Sequence, residues 1–485
     1  MKLKSTKYNL IMNFILTSSA ILFPLITFPY VSRILMPENM GKIAFASSVV
    51  SYFSMIAMLG IPTYGIRVCA KARDNRIELT RIVHELLIIN IVITVITYIA
   101  FFISLVTVDK FNQGSTLLII HSVGIILNVL GVNWLYIALE QYDYITIRSL
   151  IFKIISIILM FVFITQKSDY LIYAGITVFA ASASNIINFF HMRKFIEMKP
   201  VGHYQIKRHI KPIMVFFAMT VATSIYINLD TVMLGFMKDD VEVGLYTAAV
   251  KIKGVLTALI TSLGTVLLPR MSNLIKTNNM EEFKMVTAKA INFVVLISIP
   301  VTIYFMFYAK ESILLLSGND FIRATSAVQV IMPTIVLIGL TNILGIQVLV
   351  PTNKERLVLY SVMAGAIMDI IFNLIFIPKY GAAGAALGTL IAELAVLMVQ
   401  MIFLAKFLNE IKRKIHYRFV LISSVLASLA IILLQRLTID NTFYSLVLSS
   451  IVFFGTYGLL LLIQKEPIVV EVLNNIKDKI KVIRK

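Results

Sequence analysis

The chain is poor in most of what a soluble enzyme uses. Of its 485 residues only 14% are charged, and it has one cysteine, Cys69, and one tryptophan. A soluble domain carries about 25% charged residues. A single cysteine excludes an intramolecular disulfide and any cysteine-rich metal site. No P-loop, HExxH or GxSxG pattern occurs in the sequence, so the chemistries those motifs serve have no footing. Acidic residues are scarce as well, 25 against 44 Lys+Arg, for a net charge of +19.

Apolar residues are what the chain has in abundance, 59% of the total, with a mean hydropathy of +0.89. Runs of about 20 apolar residues, the length that crosses a bilayer, recur from end to end. They fall at 8–32, 43–62, 82–106, 117–138, 148–165, 170–190, 212–236, 244–268, 289–308, 326–350, 357–377, 384–405, 418–435 and 443–463. The expected fold is an all-α polytopic membrane protein of about fourteen spans. The runs are continuous and do not alternate with period two, which excludes a β-barrel. The N-terminus is basic and then apolar, but its run is too long for a signal peptide and lacks an A-x-A site. It reads as a retained first span.

Charge orients the chain. Segments on the side of the N-terminus hold 33 Lys+Arg, the opposite side nine, and Lys251 and Lys253 lie inside a span. By the positive-inside rule the first side is cytoplasmic, and an even number of spans puts both termini there. The excess charge then reads as topology signal and attraction to anionic lipid, with no nucleic-acid partner. Outer connections are all short, which leaves no room for an outer catalytic domain. A non-enzyme is expected: a transporter driven by ion or substrate gradients, or a channel.

Span 2 opens GKIAFASSV (41–49) and span 8 opens GLYTAAVKI (244–252), each with Gly after a short outer turn. The offset is six spans, an even number, so the two halves run the same way up, as in transporters built from parallel repeats. The expected division is a first lobe at 1–211, a second at 212–405, and two extra spans with a basic amphipathic tail at 406–485. Pro24, Pro29, Pro300 and Pro333 are hinges or static kinks. The small-residue run GAAGAALG (381–388) should let two helices approach closely.

The stretch FPYVSRILMPENMGKIAFASSVVSYFSMIAMLGIPTYGIRVCAKARD (28–74) resembles the opening of the Wzx-type polysaccharide flippases. LDTVMLGFMKDDVEVGLYTAAVKI (229–252) and KYGAAGAALGTLIAEL (379–394) resemble that family too. Its superfamily also contains drug/cation antiporters and the lipid II flippase. One departure is Val68, where many relatives carry Glu. The resemblance implies a V-shaped, two-lobed fold of six helices each around a central cavity. It also implies a bacterial inner-membrane flippase that moves undecaprenyl diphosphate carrying an oligosaccharide repeat unit of O-antigen, capsule or exopolysaccharide to the outer leaflet. A polysaccharide polymerase is an expected partner. The alternatives are an ion-coupled small-molecule antiporter of the same superfamily, or a membrane-embedded glycan polymerase or acyltransferase.

A diphosphate cannot cross hydrocarbon bare, so intramembrane cations are the first candidates for binding it. Lys251 lies about 10 Å from the outer end of its span at 1.5 Å per residue, and Lys253 is turned about 200° from it, so only one can face a cavity fully. Lys251 is the better candidate, and Lys253 has the alternative of pairing with a carboxylate. Arg33 guards the outer mouth or anchors the interface. Arg67 and Arg270, at matching places in the two repeats, capture diphosphate on entry or simply mark the cytoplasmic face.

A second set is acidic: Asp230 in span 7, Asp369 and Asn373 at i and i+4 in span 11, and Thr389 in span 12. Such oxygens suit Na⁺, and a proton on Asp230 or Asp369 is the other option; a structural pairing with Lys251 or Lys253 is the third. The lipid II flippase branch resembles this set. No other cofactor is expected. Glu393 is a further intramembrane carboxylate without an obvious partner, and Glu140 reads as interfacial.

The orientation is checked by thiol accessibility in a Cys69→Ser background. A cysteine at Lys310 should react with an impermeant maleimide from outside, and one at Lys406 only after permeabilisation; the reverse pattern would invert the topology.

Overall fold

The computed structural model describes residues 5–435 and 441–474, and these contain no strand. Lys2, Lys4 and residues 475–485 of the basic tail lie outside them. The helical character follows from the solvent. Hydrocarbon offers no hydrogen bond to an open backbone amide, so each segment must satisfy its own.

Packing divides the chain into two compact units, Met1–Thr247 and Ala248–Lys485. The first holds α1 (Thr6–Met58), α2 (Ile61–Ala72), α3 (Arg76–Thr107), α4 (Asp109–Gln113), α5 (Ser115–Gly131), α6 (Asn133–Ala138), α7 (Tyr142–Phe163), α8 (Tyr170–Val178), α9 (Asn185–His191), α10 (Lys207–Met237) and the start of α11 (Asp240–Lys276). The second holds the rest of α11, then α12 (Met280–Phe307), α13 (Ala309–Ser317), α14 (Thr325–Ile331), α15 (Thr334–Asn342), α16 (Glu355–Tyr380), α17 (Ala382–Phe403), α18 (Ala405–Ile411), α19 (Tyr417–Leu434) and α20 (Thr442–Ile463).

Among the described residues eleven helical stretches are long and apolar enough to cross a membrane, or thirteen if two bent pairs each make one pass. The first stretch, 11–72, runs through α1, which is two helices joined at a kink where Met36 has φ 66° and ψ 168°. The apolar runs 8–32 and 43–62 fall on either side of that kink. Counting them separately brings the passes to the fourteen expected.

The prolines do different things. Pro333 sits at the break of the second bent pair, where the chain turns by 45° between 331 and 334. It has no amide hydrogen to continue the ladder. Pro24 and Pro29 are accommodated within α1, and Pro300 within α12. Two π-turns, Phe179–Ala183 and Ile343–Leu349, interrupt the helical ladder in the first and second unit respectively.

Glycine sets the closest helix contacts. In the first unit a side chain at Gly41 would run into the Asp240 carbonyl, and one at Gly244 into the Pro37 carbonyl. The two glycines that open the repeated segments therefore pack against each other's turns. In the second unit the run 381–388 joins α16 to α17 through Gly381, whose φ is +54°. Gly384 packs on the Phe376 carbonyl and Gly388 on the Asn373 amide, the close approach expected of that run.

Gly384→Val should therefore lower stability by about 1–3 kcal/mol, the usual cost of overpacking, because a backbone carbonyl cannot move aside. Gly455→Ala, with nothing within 4 Å of the added carbon, should leave the thermal midpoint in detergent unchanged or raised.

Candidate functional site: intramembrane charges and a buried carboxylate clasp

Lys251 and Lys253 lie on α11, with Lys251 exposed, Lys253 half-buried and Ile252 between them buried. Neither lysine forms an ion pair among the described residues. Asp230, 5% exposed, accepts a hydrogen bond from the Tyr246 hydroxyl inside the first unit.

The sequence count treats Arg148 and Lys153 as part of a cytoplasmic connection. Both lie on α7, and eleven helical residues precede Lys153 while ten follow it. Lys153 donates to the Ser19 hydroxyl at 2.7 Å, and no carboxylate pairs with it among the described residues. Arg148 is buried and donates to the Ser184 carbonyl and the Asn133 side-chain oxygen, at 3.1 and 3.2 Å. Lys153 is thus a further intramembrane cation that counting by loops conceals.

Arg33 is exposed and donates to the Pro29 carbonyl one turn back, at 2.6 Å. Arg67 is exposed on α2. Arg270 is exposed and bonds Glu282 of α12 at 2.9 Å, so an incoming anion would compete with that carboxylate. Glu140 is tied down, accepting from Arg73 at 2.9 Å and Asn9 at 3.2 Å.

The acidic set is divided between the units. Asp230 belongs to the first, and Asp369, Asn373 and Thr389 to the second, where all three are buried. Asp369 and Asn373 share one face of α16. Thr389 and Glu393 sit four apart on α17, and Glu393 is buried too. Gly388 brings α17 against Asn373. Further along the same hairpin Gln400 donates to Ser361 at 3.2 Å. The α16–α17 interface therefore carries a buried ladder of polar side chains. Its i, i+4 spacing is visible in sequence, but its pairing across the hairpin is not.

The largest cluster that sequence reasoning missed joins α2, α3 and the start of α10. Glu85 of α3 is fully buried and accepts from four donors. These are the Gln205 backbone amide, Arg208 Nη2 at 2.7 Å, Arg208 Nε at 3.2 Å and His209 Nε2 at 2.6 Å. The Tyr64 hydroxyl bonds Nδ1 of His209 at 2.7 Å, and His209 is 1% exposed. Arg208 also reaches Glu78 at 3.1 Å, and Arg81 holds the other Glu78 oxygen at 2.6 Å. Nearby, Tyr204 bonds His84 at 3.0 Å. A basic loop preceding a span is thereby fixed to the helix bundle by one buried carboxylate. Apolar packing by Trp134, Leu86, Ile213 and their neighbours seals it.

These features define a class: an all-helical, polytopic membrane protein of transporter architecture with ionisable groups inside its spans. The chain belongs to the polysaccharide biosynthesis protein family, whose model matches residues 7–275, and the MatE model matches residues 212–375. It is 25% identical over 401 residues to an Escherichia coli K12 protein provisionally named an O-antigen transporter, covering 82% of this chain and 96% of that one. A Shigella dysenteriae protein with the same provisional name is 24% identical over 398 residues, covering 81% and 99%. Among solved structures, the lipid II flippase MurJ in an inward closed conformation superposes with a TM-score of 0.73 at 15% identity, over 95% of this chain and all of that one. An inward-facing MATE-family multidrug transporter superposes with 0.62 at 15% identity, over 81% and 95%. At such identities these structures establish the fold.

Glu85→Ala should cost about 3 kcal/mol or more, since it strands His209 and Arg208 beside an emptied site. Glu78→Ala, at a half-exposed pair, should cost less than about 1 kcal/mol. Thermal or denaturant unfolding of the two variants side by side tests the ranking.

Proposed function

We propose that the protein is a flippase for lipid-linked oligosaccharides. It would carry undecaprenyl-diphosphate repeat units from the cytoplasmic to the outer leaflet of a bacterial inner membrane by alternating access. The observation that carries this reading is the set of intramembrane lysines with no carboxylate partner among the described residues, Lys251 and Lys253 on α11 and Lys153 on α7. A charged side chain deep in a bilayer costs several kcal/mol unless something compensates it. A cation that no protein carboxylate neutralises is suited to an anionic passenger. Lysine offers phosphate a point charge with rotatable donors, a grip that can be released.

Family membership and the provisional names of the two bacterial relatives support the same substrate class. Arg67 and Arg270 are assigned to capture of the diphosphate at the cytoplasmic mouth, and Arg33 to the outer mouth. Asp230, Asp369, Asn373 and Thr389 are assigned to coupling by Na⁺ or H⁺. Both termini are placed in the cytoplasm, with 1–211 and 212–405 as the two repeats, and a polysaccharide polymerase is the natural recipient of the product.

The test is flipping of a fluorescent undecaprenyl-diphosphate oligosaccharide in proteoliposomes at fixed Na⁺ and pH. Lys251→Gln should lower the rate tenfold or more with an unchanged thermal midpoint. Equal rates would make Lys251 structural. No flipping by the wild type would move the small-molecule antiporter to first place.

A further inference from the structure

A pocket of about 390 Å³ opens beside the Glu85 clasp, walled by α2, α3 and the start of α10. Its polar lining is Tyr64, Lys71, Asn75, Glu78, Arg208 and His209. We propose that this pocket is a sugar-binding subsite, which reads one residue of the glycan on the lipid-linked substrate. The proposal rests on the flippase reading above and deepens it.

Charge argues for a neutral, polyhydroxylated ligand over a phosphate. The cations Lys71 and Arg208 are offset by Glu78 in the wall and Glu85 behind it. Arg208 is already shared between those two carboxylates. A phosphate would meet the Glu78 carboxylate in the wall and would have to displace it from Arg208 or Arg81. A sugar ring needs something else, donors and acceptors side by side, and the pocket has both. Among the described residues the Lys71 ammonium and Arg208 Nη1 have no hydrogen-bond partner. Glu78 accepts one bond on each oxygen, from Arg208 and Arg81, and each carboxylate oxygen has a second lone pair to offer. Tyr64 supplies an aromatic wall.

Rigidity argues for specificity. Apart from Lys71, the polar groups that could orient a hydroxyl are fixed from behind. Tyr64 is fixed by His209, Arg208 by Glu78 and Glu85, and Glu78 by Arg81. Asn75 is held as the N-cap of α3, accepting from the Glu78 amide at 3.1 Å. Pre-set polar groups of this kind favour binding because little motion is lost when the ligand arrives. The volume lies within the roughly 300–1,000 Å³ typical of small-molecule sites. The second cavity, about 690 Å³ between α3 and α5, is lined almost wholly by apolar side chains and offers a sugar nothing. Position fits as well. The pocket lies at the end of the unit that carries Arg67, Arg73, Arg76 and Arg81, the side read as cytoplasmic, from which the substrate's glycan would enter.

The experiment uses the full chain in nanodiscs, with binding read by native mass spectrometry. Two probes are compared: lipid-linked oligosaccharides extracted from cells that make the protein, and undecaprenyl diphosphate without sugar. Lys71→Ala removes an exposed donor, and Val68→Trp fills the pocket. Each should weaken the glycosylated probe about tenfold and leave the bare diphosphate unchanged, with the thermal midpoint retained for Lys71→Ala. Equal loss of both probes, loss of neither, or a wild type that does not prefer the glycosylated lipid would overturn the assignment. A wild type that selects the glycosylated lipid through this pocket yet does not flip it in proteoliposomes would leave the subsite standing and sink the transport reading.

Discussion

Hydrocarbon cannot hydrogen-bond, and everything else in this molecule follows from that. Backbone amides must be satisfied within their own segment, so the described spans are helical. Charges must be compensated or used, so an ionisable side chain inside a span is never incidental. The protein answers this constraint in two ways. Glu85, His209 and Arg208 compensate one another completely and act as a fastener. Lys251, Lys253 and Lys153 have no carboxylate partner among the described residues.

In a flippase of lipid-linked oligosaccharides the two treatments of charge would divide the labour. Diphosphate recognition needs net positive charge and weak, releasable contacts, which lysines without a carboxylate partner would provide. Glycan recognition needs mixed donors and acceptors in fixed geometry, and these gather beside the clasp. Keeping the two chemistries apart would let one scaffold vary its sugar while keeping its grip on the carrier lipid. Val68 and Glu78 both line the pocket, one from each of two consecutive helices.

Glycine does for the backbone what the clasp does for charge. Gly384 and Gly388 allow α16 and α17 to lie close enough for a buried polar ladder to form between them. Gly41 and Gly244 allow two turns, far apart in sequence, to meet backbone to backbone. In both places the approach is set by the absence of a side chain, so the geometry leaves no room for slow drift by substitution.

The apolar runs and their number were legible in the sequence because a bilayer imposes a fixed length on each segment. So were the close packing at 381–388 and the i, i+4 faces of α16, since helical periodicity is local. The apolar run 148–165 put Lys153 near the end of its span, and only the start of α7 at Tyr142 moves it to the middle of a helix. Nor could it show that Glu85, His209, Arg208 and Tyr64 meet. Tyr64 and Glu85 come from consecutive helices, but Arg208 and His209 lie more than a hundred residues further along the chain, and only tertiary contact decides which buried charges neutralise each other.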